Sequence, residues 1–138
     1  ALKSFWLYIH IGFALFTYGA YILSASAAVL YLRRRADEMD KMSYRFILLG
    51  FLTHAIMVAS GAVWANLSWG RYWAWDPIET WSLLTWLLYG WYLHLRLIKG
   101  WKGKRCAWIS IASLILIIIC FWGVPVFSKT IHAFGKFF

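Results

Sequence analysis

Four long apolar runs divide this chain, separated by short stretches rich in Arg and Lys. They extend from Phe5 to Leu32, Phe46 to about Leu67, about Pro77 to Ile98, and Cys106 to Val124. A bilayer core about 30 Å thick needs roughly 20 mostly apolar residues in a helix. Every backbone amide that crosses it must be bonded within its own segment. The runs predict an all-α integral membrane protein with about four transmembrane helices, spans 5–32, 46–67, 77–98 and 106–124, in a single membrane domain over 1–138. Composition argues against a soluble domain, since 63% of residues are hydrophobic and only 14% charged, whereas soluble chains are about half apolar and a quarter charged.

The net charge of +9 is a membrane signature here. Arg33, Arg34, Arg35, Lys41 and Arg45 fall between the first two runs. Arg96, Lys99, Lys102, Lys104 and Arg105 surround the turn between the last two. Basic loops face the cytoplasm or its equivalent, so both termini and the segment between runs two and three are expected on the outer side. The partner implied by this pattern is a lipid bilayer, with no nucleic acid. The stretch "RRRADEMDK" reads as a solvated loop without chemistry. The first run is too long for a signal peptide and lacks a cleavage pattern.

Cys106 and Cys120 lie on one predicted helix, about 21 Å apart along its axis at 1.5 Å per residue, so they cannot pair with each other there. No C-x-x-C spacing marks a redox or haem-attachment motif. Gly12, Gly19, the Ser24–Ala28 cluster and Ser60-Gly61-Ala62 permit close helix approach.

The outer segment 67–81 is the unusual one. "WGRYWAWDPIETW", Trp69 to Trp81, holds four tryptophans and two of the five acidic residues in the chain. Asp76-Pro77-Ile78-Glu79 reads as a helix start: Asp76 as N-cap, Pro77 at the first helical position, Glu79 reaching back in a capping box. Membrane interfaces collect Trp and Tyr as a belt, which suits scattered residues better than Trp69, Tyr72, Trp73 and Trp75 in one loop. A stiff aromatic platform suits a flat, largely apolar ligand.

Four histidines are present: His10, His54, His94 and His132. Counted from Arg33, about 20 residues of membrane core end near Phe13, and His10 lies about 4.5 Å further out. His132 follows the last run on the same side. Two outer imidazoles beside a flat platform fit a haem with two axial histidines. His94 and His54 lie about 6 and 12 Å from the inner edge, which leaves packing, a partner chain, or a second buried site open for them.

The stretch "WGRYWAWDPIETWSLLTWLLYGWYLHLR" resembles the tryptophan-rich WWD signature of haem-handling membrane proteins. That family includes CcmC and CcmF of cytochrome c maturation system I and CcsA, or ResC, of system II. The flanks "GAVWANLSWG", "YLHLRLIKGWKG" and "FSKTIHAFG" favour the CcsA type. The resemblance spans nearly the whole chain, yet the family is nearly twice as long, so this chain resembles its C-terminal portion.

The resemblance implies a haem-handling protein of cytochrome c biogenesis, in a bacterial inner membrane or a thylakoid membrane. It would act with a CcsB/ResB-type membrane partner in a cytochrome c synthase. Haem b would rest at an outward site made by the WWD loop and two histidines, and then be joined to the CxxCH motif of apocytochrome c. His10 and His132 match the external axial ligands, and His94 matches the histidine of an inner haem site. Trp69, Tyr72, Trp73 and Trp75 form the platform that Asp76 caps, with Glu79 behind it. His54 falls where a small or apolar residue is expected, which leaves it as packing or as a substitute inner ligand. Arg71, Lys129 and Lys136 are the cations nearby, for haem propionates or for lipid headgroups. No catalytic residue is assigned. A CcmC-type delivery protein and a b-type haem electron-transfer subunit are the alternatives. The latter would need histidine pairs on facing helices and no aromatic loop.

Overall fold

The computed structural model describes residues 3–123, and for Cys120 and Phe121 the backbone alone. His132, Lys129 and Lys136 lie outside the described residues. The described residues are all-α: α1 (Phe5–Arg34), α2 (Asp37–Trp69), α3 (Pro77–Leu97) and α4 (Lys104–Ile118), followed by a π-helical turn, Ile119–Gly123. Of these, α1 and α2 are long and apolar enough to cross a membrane. α3 has 21 residues, but its Trp, Tyr, Thr, His and Arg side chains lower its mean hydropathy. α4 stops at 15 residues, about 22 Å at 1.5 Å per residue.

α1 starts behind Ser4, whose hydroxyl accepts from the Leu7 amide at 3.4 Å. It ends at Arg35, whose left-handed backbone (φ 55) lets its amide bond back to the Tyr31 carbonyl. Only Arg35 and Ala36 separate α1 from α2, so "RRRADEMDK" is not a loop. Asp37, Glu38 and Asp40 fill the first turn of α2, where carboxylates favour the positive end of the helix dipole. α2 therefore begins nine residues before the apolar run does. Asp40 is buried. Its two oxygens accept from the Arg96 guanidinium at 2.8 Å each, and one also accepts from the Gly103 amide at 3.1 Å. Burial raises the Asp40 carboxyl, but Arg96 and the Gly103 amide outweigh it and hold the group below its ordinary value. The expectation that this stretch carries only solvated charge fails here, because Asp40 lies on the face of α2 that meets α3 and the turn before α4.

α1 and α2 form an antiparallel hairpin. Residues further along α1 pair with residues further back on α2: His10 with Met57, Thr17 with Thr53 and Ser24 with Ser43, while the longer Tyr21 side chain reaches His54. Ser24 also reaches Ser110 of α4 at 2.9 Å. These bonds satisfy hydroxyls that lipid would leave unpaired. Tyr21, Ile47, Tyr89, Tyr92, Leu93, Cys106 and Ile117 make the buried cluster. At its centre the Tyr21 and Tyr89 rings stack with centroids 3.7 Å apart and planes 7° off parallel. α3 is pinned to α2 by Trp86, which stacks on Phe51 and donates its indole N–H to the Phe51 carbonyl at 3.1 Å.

Candidate functional site

The aromatic segment begins where α2 ends. Gly70 takes a left-handed backbone (φ 74) and its amide closes on the Asn66 carbonyl at 2.8 Å. Five residues later Trp75 takes the same conformation, φ 56, which side chains with a Cβ rarely adopt. Asp76 then caps α3: its Oδ1 accepts from the Ile78 amide at 2.9 Å, and the reciprocal Glu79 bond of a capping box is present. Glu79 does more than cap. Its Oε2 accepts from the Ala74 amide at 2.8 Å and from the Asp76 amide at 3.3 Å. Both carboxylates are buried, 7% and 8% exposed. One acid thus ties the segment before the helix to the helix itself, which explains how a non-glycine residue is kept at positive φ.

The rings above this clamp are mostly uncovered. Tyr72 is 59% and Trp75 70% exposed, and Arg71 and Trp69 are also exposed. Trp69 packs edge-on against Trp64 at 4.9 Å, and Trp73 edge-on against Trp75 at 5.9 Å. Trp73 is half-buried, and its indole nitrogen is buried without a hydrogen-bond partner among the described residues. Open ring faces, an exposed guanidinium and an unused indole donor suit a flat aromatic molecule that carries acidic groups.

The histidines occupy three different settings. His10 lies on α1, half-buried, with Nδ1 2.8 Å from the Met57 carbonyl on α2. A carbonyl only accepts, so Nδ1 carries a proton, and in the neutral ring Nε2 then carries the lone pair. Gly61 sits against the ring. Nine residues separate Gly61 from Gly70, so the aromatic segment starts about 13 Å further along α2. His54 is fully buried. Its Nδ1 meets the Tyr21 hydroxyl at 3.1 Å and its Nε2 the Ser82 hydroxyl at 3.1 Å. Both ring nitrogens are thus engaged in linking α1, α2 and α3. His94 is exposed on α3, twelve residues beyond Ser82 and so about 18 Å along the helix from the level of His54. The structure does not bring His54 and His94 together, because one points into the bundle and the other out of it. His132, the other expected outer ligand, is outside the described residues.

At the opposite end of the bundle a cleft is lined by Tyr31, Asp37, Asp40, Lys41, Arg96, Lys102 and Gly103. Reading the chain locally missed its centre, the Asp40–Arg96 pair. The signal was a group of three acids, Asp37, Glu38 and Asp40, inside a basic stretch and one arginine near the end of an apolar run. Among the described residues, no group of three or more His, Cys, Asp or Glu side chains is placed to hold a metal ion.

The family described as Cytochrome C assembly protein matches residues 1–132. Among similar proteins, the cytochrome c biogenesis protein CcsA of Prochlorococcus marinus (strain MIT 9312) is 34% identical over 174 residues, covering all of this chain and 56% of that protein. CcsA of Chlamydomonas reinhardtii is 39% identical over 150 residues, 99% of this chain and 42% of the relative. CcsA of Cyanophora paradoxa is 48% identical over 109 residues, 79% of this chain and 34% of the relative. The chain spans little more than half the length of the first two relatives it matches, 56% and 57%.

Proposed function

From the premise that this chain belongs to the cytochrome c assembly protein family, we propose that it is the haem-presenting portion of a CcsA-type cytochrome c synthase. The observation that carries this reading is the clamped aromatic segment. Glu79 and Asp76 hydrogen-bond residues 74–79 together while the Tyr72 and Trp75 rings stay exposed. An interfacial belt needs no such clamp. A platform for haem does, because ordering a loop at the moment of binding subtracts from affinity.

In this reading all four helices cross the membrane, α4 together with its π-helical continuation to Gly123, and the aromatic segment lies on the periplasmic or lumenal side. Haem b is the substrate. His10 through Nε2 and His132 are its axial ligands, Trp69, Tyr72, Trp73 and Trp75 flank it, and Arg71 pairs with a propionate. The exposed position of His94 supports a second haem site shared with another chain, such as a CcsB-type membrane partner, or with a further part of the protein. His54 serves packing. The chemistry delivered is thioether formation between the haem vinyl groups and the CxxCH thiols of apocytochrome c. The role of the residues named here is to bind, orient and shield the haem until that reaction.

The test is a haem spectrum of the purified full protein with pyridine haemochrome analysis. Haem b is expected, with the six-coordinate spectrum lost in His10→Ala and in His132→Ala. Unchanged spectra and unchanged cytochrome c synthesis in both variants would remove the external-ligand reading. An electron-transfer subunit with paired intramembrane histidines instead requires the spectrum to depend on His54.

A further inference from the structure

We propose that Gly61 and the main-chain carbonyl of Met57 are positioning elements for His10, setting both the direction of its ring and which nitrogen faces the ligand. The proposal rests on His10 being a haem ligand, and names the parts of α2 that prepare it.

Two independent observations meet at this point. The first is the 2.8 Å bond from Nδ1 to the Met57 carbonyl. In a regular helix that carbonyl already accepts the amide of the residue four positions on, which is Gly61. A second donor can reach it from outside only where the side chains above it leave a path. The second observation supplies the path. A Cβ at position 61 would lie 2.6 Å from His10 Nδ1 and 2.9 Å from Cε1, closer than atoms without a bond can approach. The ring fills the space that the missing side chain leaves.

The backbone does not call for glycine here. Gly61 lies within α2 and has no positive φ, and glycine inside a helix is less stable than alanine. Gly12 on α1 shows the contrast, since a Cβ there meets nothing within 4 Å. The Ser60 hydroxyl touches the Met57 carbonyl at 3.0 Å but is closer to the Ile56 carbonyl, at 2.7 Å, so it does not displace His10.

The consequence is chemical. A ligating histidine whose other nitrogen donates to a carbonyl has its tautomer and orientation fixed and its donor nitrogen made more basic. Loss of such a partner typically weakens metal affinity about 10- to 100-fold. Gly61→Ala forces the imidazole away from the carbonyl. His10 is a flexible side chain, so the ring moves and the helix persists.

The experiment titrates haemin into the haem-free full protein, comparing wild type, Gly61→Ala, Gly12→Ala and His10→Ala. Gly12→Ala is expected to bind as wild type. Gly61→Ala is expected to bind about 10- to 100-fold more weakly, with thermal stability kept or raised. Nitrogen-15 NMR of the histidines in the haem-free protein is expected to show His10 protonated at Nδ1 in wild type, and that state lost in Gly61→Ala. Wild-type haemin affinity in Gly61→Ala, with His10→Ala defective, overturns the positioning inference and leaves His10 as a ligand. A normal spectrum in His10→Ala overturns the ligand reading and the inference with it. A wild-type His10 protonated at Nε2 overturns the inference even if Gly61→Ala fails to fold.

Discussion

Replacing Glu79 with alanine removes the one carboxylate that accepts both loop amides. In the wild type its Oε2 takes the Ala74 amide at 2.8 Å and the Asp76 amide at 3.3 Å, inside a site where Glu79 is 8% exposed. A hydrogen bond to a charged group contributes about 1.5–3 kcal/mol, and a buried amide left without an acceptor costs about 1–3 kcal/mol. The second bond is long and adds less, and the helix dipole adds about 0.3–1 kcal/mol. The expected loss is about 2–4 kcal/mol. It falls on the opening of residues 70–76 rather than on the bundle, because segments open locally at their own free energy. At 1.36 kcal/mol per factor of ten, loop amides should exchange with solvent about 30- to 900-fold faster, and tryptic cleavage after Arg71 should accelerate in parallel. Glu79→Gln keeps an acceptor oxygen and loses only the charge, so it should fall between wild type and alanine. Hydrogen-exchange mass spectrometry on the peptide spanning 70–79 reads the effect. Equal exchange in wild type and Glu79→Ala would refute the clamp, and haem-independent rigidity of the loop would need another cause.

Two further tests concern the bundle. Arg96→Met leaves Asp40 buried without its partner and should cost about 3–5 kcal/mol, whereas Arg96→Met with Asp40→Leu should recover most of it, as read by thermal unfolding in detergent. Because the folded Asp40 carboxyl is held below its ordinary value, its contribution should be complete above the unfolded value of about 3.9. It should fade as pH falls through the lower folded value, and an acid limb unchanged in the double variant would contradict this. Gly50→Ala places a Cβ 2.5 Å from Tyr21 Cε1, and that ring is already stacked on Tyr89. Overpacking of about 1–3 kcal/mol should outweigh the helix-propensity gain of about 1 kcal/mol, so a stabilised variant would show that the stack yields easily.

Where signals are local, the chain declares itself. "DPIET" specifies its own helix start because the cap, the proline and the reciprocal acid lie within four residues, and α3 begins at Pro77. The apolar run after Ser4 becomes α1 from Phe5. Where a residue's partner is distant, local reading fails. Asp40 looked like a loop charge because Arg96 lies fifty-six positions away. Hydropathy marks only the apolar run from Phe46, while the helix that carries it starts at Asp37. Composition marks a charged stretch as exposed, yet helix phase decides which of its residues turns inward.

The sequence by itself determined the helical class, the membrane character and the aromatic segment with its cap, since these follow from hydropathy, period and short-range hydrogen bonding. Counting along the sequence set His10 apart from His54 and His94 by depth, but only the tertiary structure showed what each ring touches. It sends His94 outward, locks both nitrogens of His54 between hydroxyls, and sets His10 with Nδ1 against a carbonyl. The side chain is the same at each position. What an imidazole can ligate depends on which nitrogen the neighbouring helix has already claimed, and that neighbour is fixed by packing between residues tens of positions apart.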